Sequence, residues 1–132
     1  MKRSRVRPIS VERTEENIEF AKVRQEVYDE AKGLCEANRL AHHVMDLARS
    51  QNDMPRVIQI RNALNVMLDS EHCVNVSMRM HVHHRKYRSR GGTNAKDNLV
   101  LLCEPCHAWV HSESATSNIL GLSLHANESE EL

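Results

Sequence analysis

The first half of the chain repeats its apolar residues every three or four positions, the period of one face of an α-helix. Three such stretches occur, at residues 12–34, 38–50 and 55–68. Gly33 is suited to end the first helix, and Pro55 is suited to the first position of the third. The sequence therefore predicts three amphipathic helices, the third less regular because it contains the strand-like "VIQI".

From Cys73 onward the pattern changes to a period of two. In "VNVSMRMHVHH" apolar residues alternate with mostly polar ones, as in a strand with one buried face. The turn-forming "SRGGTNAKD" follows, and then the short apolar run "NLVLLC". We expect the second run to fold back beside the first as a hairpin, and Pro105 to open a short helix. The tail, 114–132, has weak apolar content and an acidic end, which makes it a candidate for partial disorder.

A chain of 132 residues is about one domain, and a chain this short has a modest core. Only four residues are aromatic, so aliphatic side chains must provide most of the apolar burial. Small cores of this kind are often stabilised by a further device, such as a structural metal ion.

Formal charge sums to zero, but basic and acidic residues are segregated along the chain. Residues 1–7 and 72–96 contain basic residues and no acid, whereas acids concentrate in residues 12–30 and at the end. Local basic segments favour phosphate contacts, although a solvated surface explains many such runs. No apolar run is long enough to span a membrane, and the basic start lacks the apolar segment of a signal peptide. We therefore expect a soluble, cytoplasmic protein.

Cys103 and Cys106 flank a Glu-Pro pair, a spacing that lets two thiolates bind one tetrahedral zinc ion. The other two cysteines are Cys35 and Cys73, and in a reducing cytosol such cysteines are more often metal ligands than disulfides. The four cysteines therefore predict one structural zinc site. In the alternative, Cys35 and Cys73 are small buried apolar residues. The ligand set would then be completed by a histidine, from the candidates His42, His43 and His72.

Five of the nine histidines lie in the hairpin and in the helix after it. His107 and His111 are four residues apart, so they lie on one face of the predicted helix and can share a metal ion. The hairpin would bring His81, His83 and His84 to the same neighbourhood. Because neighbours in a strand point to opposite faces, His83 and His84 cannot both face the ion from a regular strand. This alternation makes His81 a rival ligand.

The segment "VHHRKYRSRGG…NLVLLCEPCHAWVH" resembles the ββα-metal motif of HNH endonucleases, especially the zinc-stapled kind common in phages and prophages. "GLCEAN" at 33–38 extends the likeness to Cys35. The resemblance implies an α+β fold, with a treble-clef-like ββα-metal HNH core and added N-terminal and inserted helices. The chain would then divide into a basic arm, a helical region with an insertion, the nuclease core and the tail, at residues 1–11, 12–72, 73–113 and 114–132.

The resemblance also implies a role for each histidine of the motif. His83 would be a ligand of the catalytic divalent ion, and His84 would be the general base. His107 and His111 would supply the remaining imidazoles, and the ion would be Mg²⁺, Mn²⁺, Ni²⁺ or Zn²⁺. Asn98 would orient the base or stabilise the hairpin; in other family members the corresponding Asn is itself a ligand. DNA phosphates would be contacted by the basic residues that follow the histidine pair, namely Arg85, Lys86, Arg88 and Arg90.

These expectations describe a metal-dependent DNA endonuclease of phage or prophage origin. Two other classes stay open. One is a non-catalytic zinc-stapled module that binds nucleic acid through its basic arm and hairpin. The other is an adaptor, whose insertion at 37–72 contacts a phage packaging protein or a second copy of the chain.

Overall fold

The computed structural model describes residues 11–69 and 79–132. Cys73, His72 and the basic residues of the first ten positions lie outside these ranges. The described elements are helices and two strands, in the order α1 (Val11–Glu30), α2 (Ala37–Ser50), α3 (Met54–Asp69), β1 (Met80–His84), β2 (Leu99–Cys103), α4 (Glu104–Ser112) and α5 (Ser114–Ile119). None of the described helices is both long and apolar enough to cross a bilayer.

The three predicted helices are present, with bounds within a few residues of those expected. α1 ends earlier than its apolar pattern, because the chain turns at Lys32 and at Gly33, where φ is 68°. α3 is helical through "VIQI". Val57 and Ile60 are buried there while Ile58 is 55% exposed, so the three-residue spacing of the buried positions outweighs the strand propensity of these side chains.

The two predicted strands form an antiparallel hairpin, with Met80 opposite Cys103 and His84 opposite Leu99. β2 is buried along its whole length. Leu99 and Leu101 pack with Val27 of α1, whereas Val100 and Leu102 pack into the larger core formed with α2 and α3. The order β1, β2, α4 is the predicted ββα arrangement, and the fold is α+β.

The tail differs from the expectation of partial disorder. Ser114–Ile119 is helical, and Leu120, Leu122 and Leu124 are buried. The backbone N–H of Leu124 also donates to the carbonyl of Arg85 at 2.7 Å. Three leucines at alternate positions are enough to extend the core, although the average apolar content of the segment is low.

Arg85 was expected to contact phosphate, and the structure corrects this expectation. Its side chain is buried, with 3% exposure. Nε donates to the carbonyl of Gly121 at 2.7 Å, and Nη1 donates to the carbonyls of Asp97 at 2.7 Å and Glu130 at 2.9 Å. Through these contacts Arg85 joins the end of β1 to the hairpin loop and the tail, which gives this buried side chain a structural role.

We predict that Arg85→Leu lowers the free energy of unfolding by about 2–3 kcal/mol, because it leaves backbone carbonyls without their donor. Urea denaturation followed by circular dichroism measures the change. The matched control is Arg88→Leu, since Arg88 is exposed on the same loop and should change stability by no more than about 0.5 kcal/mol. Equal losses in the two variants would contradict a structural role for Arg85.

Candidate metal centres

Three cysteines from separate elements converge on one point. The sulfur atoms of Cys35, Cys103 and Cys106 all lie within 4.8 Å of one another. Cys35 is held there by its neighbour Glu36, whose backbone N–H donates to the carbonyl of Leu101 at 2.8 Å. The Glu36 carboxylate in turn accepts from the N–H of Leu101 at 3.0 Å. The Cys35 segment is therefore fastened to β2, beside the start of α4.

This cluster fits a soft metal ion such as zinc, because three thiols are available as thiolate ligands in a largely buried place. The sulfur of Cys35 lies with the other two, which favours a ligand role for Cys35 over the alternative of a small buried apolar residue. His42 and His43 are exposed on α2 and are not part of the cluster. Cys73, the expected fourth ligand, lies outside the described residues.

A second cluster consists of the three histidines that were expected to bind the catalytic metal ion. One ring nitrogen of each of His83, His107 and His111 lies within 4.8 Å of the other two. β1 supplies His83, and α4 supplies the other two from one helical face. The ring centroids of His83 are 5.3 Å from His107 and 5.7 Å from His111. The structure thus brings the three expected ligands together.

The surroundings of His83 favour the protonation state of the ring that can bind a metal ion. Nε2 lies 2.7 Å from the carbonyl oxygen of Leu122, which can only accept, so Nε2 carries the proton and Nδ1 keeps its lone pair. Burial lowers the pKa of His83 to about 4, more than the Leu122 bond raises it. The imidazole is therefore neutral at physiological pH, which is the form that binds metals.

The two helix histidines face each other, with 3.0 Å between their Nε2 atoms. Burial lowers the pKa of His107, and the neighbouring His111 and His81 act in the same direction. Nδ1 of His111 is 3.1 Å from the hydroxyl of Tyr87, so Nε2 is the nitrogen that faces the cluster. An outer partner of this kind commonly orients a metal-binding imidazole. Tyr87 was not anticipated from the sequence, since it shows no ligand spacing.

His81, the rival ligand, lies on the same face of β1 as His83 but is not part of the cluster. Its ring stacks on that of His107, with 4.6 Å between centroids and 19° between planes. Its buried Nε2 has no hydrogen-bond partner among the described residues. The His81 ring therefore packs against His107 and is not a member of the histidine cluster.

His84 lies on the other face of β1, which is the alternation expected of a regular strand. Its Nε2 is 2.8 Å from Oδ1 of Asn94, and its ring centroid is 5.4 Å from that of Phe20. His84 and His107 both line a cavity of about 460 Å³ between α1 and β1. This cavity, the α1–β1 groove, is lined by residues from both faces of β1, since His81 and His84 both contribute to it. In the sequence Asn94 stands out only as one of the turn-forming residues between the strands.

Asn98 closes the hairpin. Its Oδ1 accepts from the backbone N–H of Lys86 at 2.6 Å, and its Nδ2 donates to the carbonyls of Lys86 at 3.0 Å and Thr93 at 2.8 Å. The side chain is fully buried. Of the roles expected for Asn98, stabilisation of the hairpin agrees with these contacts. The bond from Asn98 to Thr93 also helps to hold the next residue, Asn94, beside His84.

The other basic residues expected to contact phosphate are accessible. Arg88 and Arg90 are exposed, and Lys86 is half-buried. Arg90 lies over the ring of Tyr87, 4.9 Å from its centroid, and donates to the carbonyl of Leu124 at 3.2 Å. These three side chains, unlike Arg85, are placed on the surface of the hairpin loop.

Comparison with known proteins adds one match. The family model described as HNH endonuclease matches residues 70–113, which include β1, the hairpin loop, β2 and α4. No curated protein and no solved structure matches the chain. The matched segment contains all three histidines of the second cluster, and it confirms the resemblance seen in the sequence. Residues 70–113 of this protein therefore match the HNH endonuclease family, and the rest of the chain lies outside that match.

Proposed function

We propose that the protein is a metal-dependent DNA endonuclease in which His84 acts as the general base. The α1–β1 groove carries this proposal, because it is lined by both His84 and His107. A water molecule and a phosphodiester in the groove would lie beside the imidazole of His84 and beside His107, the member of the histidine cluster that lines the groove. An HNH domain supports nuclease chemistry in general, and the roles of single residues are part of the proposal.

The contacts of His84 suit it to remove a proton from water. With the Asn94 oxygen as acceptor, Nε2 of His84 carries the ring proton, and Nδ1 keeps a lone pair. A neutral imidazole with a lone pair is a common general base in hydrolysis. Asn94 would keep the ring in one orientation, and Asn98 would keep Asn94 in place through Thr93.

The catalytic ion would be held by His83, His107 and His111. When bound, a divalent cation stabilises the negative charge of the phosphoryl transition state and of the leaving oxygen. Leu122 and Tyr87 would hold the imidazoles in position. Among Mg²⁺, Mn²⁺, Ni²⁺ and Zn²⁺, three nitrogen ligands favour Ni²⁺ or Zn²⁺, since Mg²⁺ prefers oxygen ligands.

The structural zinc would be bound by Cys35, Cys103 and Cys106, with Cys73 as the fourth ligand. Cys73 lies within the matched segment, and a fourth thiolate would complete a closed tetrahedral site. Since α4 carries both Cys106 and His107, a metal at the cysteines would also fix the helix that presents the catalytic histidines.

DNA would be contacted by Lys86, Arg88 and Arg90 of the hairpin loop, through phosphates and with little base recognition. We further propose that the protein acts in the cytoplasm of a host cell and that it has a phage or prophage origin.

A second function is favoured by the exposed apolar side chains of Met54 and Ile58 on α3, which are 56% and 55% exposed. This face of the insertion would contact a phage packaging protein or a second copy of the chain.

We predict that the protein cleaves plasmid DNA when Ni²⁺, Zn²⁺, Mn²⁺ or Mg²⁺ is supplied, and that His84→Ala slows cleavage by about 10²–10⁴-fold. DNA affinity should change little, because His84 acts on water. His125→Ala is the control, since His125 is exposed and outside both clusters. Unchanged cleavage by His84→Ala would overturn the base assignment. DNA binding without cleavage under any metal would favour the non-catalytic module.

We predict that the purified chain contains zinc bound by thiolates and that Cys73→Ser and Cys103→Ser both lose it. Native mass spectrometry counts the ions, and substitution by Co²⁺ reports thiolate ligands through charge-transfer absorption. His107→Ala is the matched control, because it changes the histidine cluster and should leave the thiolate-bound ion in place. Full retention of thiolate-bound metal by Cys73→Ser would exclude Cys73 as the fourth ligand.

A further inference from the structure

The wall of the α1–β1 groove opposite the hairpin comes from α1, which lies outside the segment matched by the family model. α1 places Phe20, Arg24, Gln25 and Tyr28 along the groove. The catalytic proposal uses none of these side chains. The groove therefore has a second side whose role is unassigned.

The charges on α1 are distributed unevenly around the helix. α1 contains seven Asp and Glu residues, yet none of them lines the groove. Two of these acids, Glu26 and Glu30, are paired with Lys96 of the hairpin loop at 3.3 Å and 2.8 Å. Because the groove side of an otherwise acidic helix presents a cation, an anion can approach the groove without repulsion at close range.

Arg24 is the cation of this wall. Its guanidinium lies over the ring of Phe20, 5.4 Å from the centroid, and the Phe20 ring lies 5.4 Å from that of His84. Among the described residues, no carboxylate forms an ion pair with Arg24. The aromatic contact restricts the side chain while leaving its N–H donors available. A planar guanidinium of this kind is well suited to bind a phosphate group.

We propose that Arg24 binds the phosphodiester backbone of DNA in the α1–β1 groove, with the hydroxyl of Tyr28 as a second donor on the same wall. This inference rests on the proposed nuclease function and extends it to a helix outside the HNH domain. The strand to be cut would then be held between α1 and the hairpin. The pairs between Lys96 and the two glutamates would set the width of the groove, since they join α1 to the hairpin loop.

The test is DNA binding by the full chain, measured by fluorescence anisotropy of a labelled duplex over a series of salt concentrations. We expect Arg24→Gln to weaken binding roughly three- to tenfold. It should also reduce the slope of log affinity against log salt concentration by the amount expected for about one phosphate contact. Arg24→Lys should restore the salt dependence and part of the affinity, since the charge is kept. Lys22→Gln is the matched control, because Lys22 is exposed on the same helix but does not line the groove.

Plasmid cleavage by the same proteins separates the two proposals. If the unmodified chain cleaves DNA and Arg24→Gln binds as tightly as Lys22→Gln, the Arg24 contact is wrong and the nuclease stands. If the chain binds DNA in an Arg24-dependent way without cleaving it, the contact stands and the nuclease is wrong. Absence of DNA binding by the unmodified chain would overturn both. Circular dichroism checks that each variant is folded.

Discussion

The alternation of side chains along β1 determines what each histidine of the pair can do. His83 points toward α4 and joins two histidines there, whereas His84 points toward α1. In a wide sheet such a pair would be separated by the sheet itself. Among the described residues the sheet has two strands, and the α1–β1 groove is lined by His81 and His84 from opposite faces of β1. Regular strand geometry is therefore compatible with one groove lined by side chains from both faces of β1.

α4 connects the two candidate metal centres. Its first turn carries Cys106, which faces the cysteine cluster, and His107 and His111 face the histidine cluster. The two sets differ in chemistry, because thiolates select soft ions while three imidazoles with an accessible groove suit a hydrolytic metal. A helix of nine residues has little stability of its own. Its position therefore depends on its packing against β2 and the tail.

The hairpin loop is stabilised by two buried polar side chains with different tasks. Asn98 satisfies the backbone of Lys86 and Thr93 inside the loop, and Arg85 joins the loop to the tail. Both side chains are hydrogen-bonded at several positions, as burial of polar groups requires. The hairpin loop is thus held by the Asn98 amide within it and by the Arg85 guanidinium, which joins it to the tail.

Local spacing in the sequence determined the helices, the hairpin, the cysteine pair of α4 and its two histidines. Such features depend on fixed distances along a helix or strand, so a single sequence is sufficient to predict them. The burial of Arg85, the contact between Asn94 and His84, and the contact between Tyr87 and His111 were decided only by tertiary structure. So were the order of the tail and the acid-free wall of α1. Each of these depends on which segments pack together, and no periodic pattern in the sequence specifies that choice.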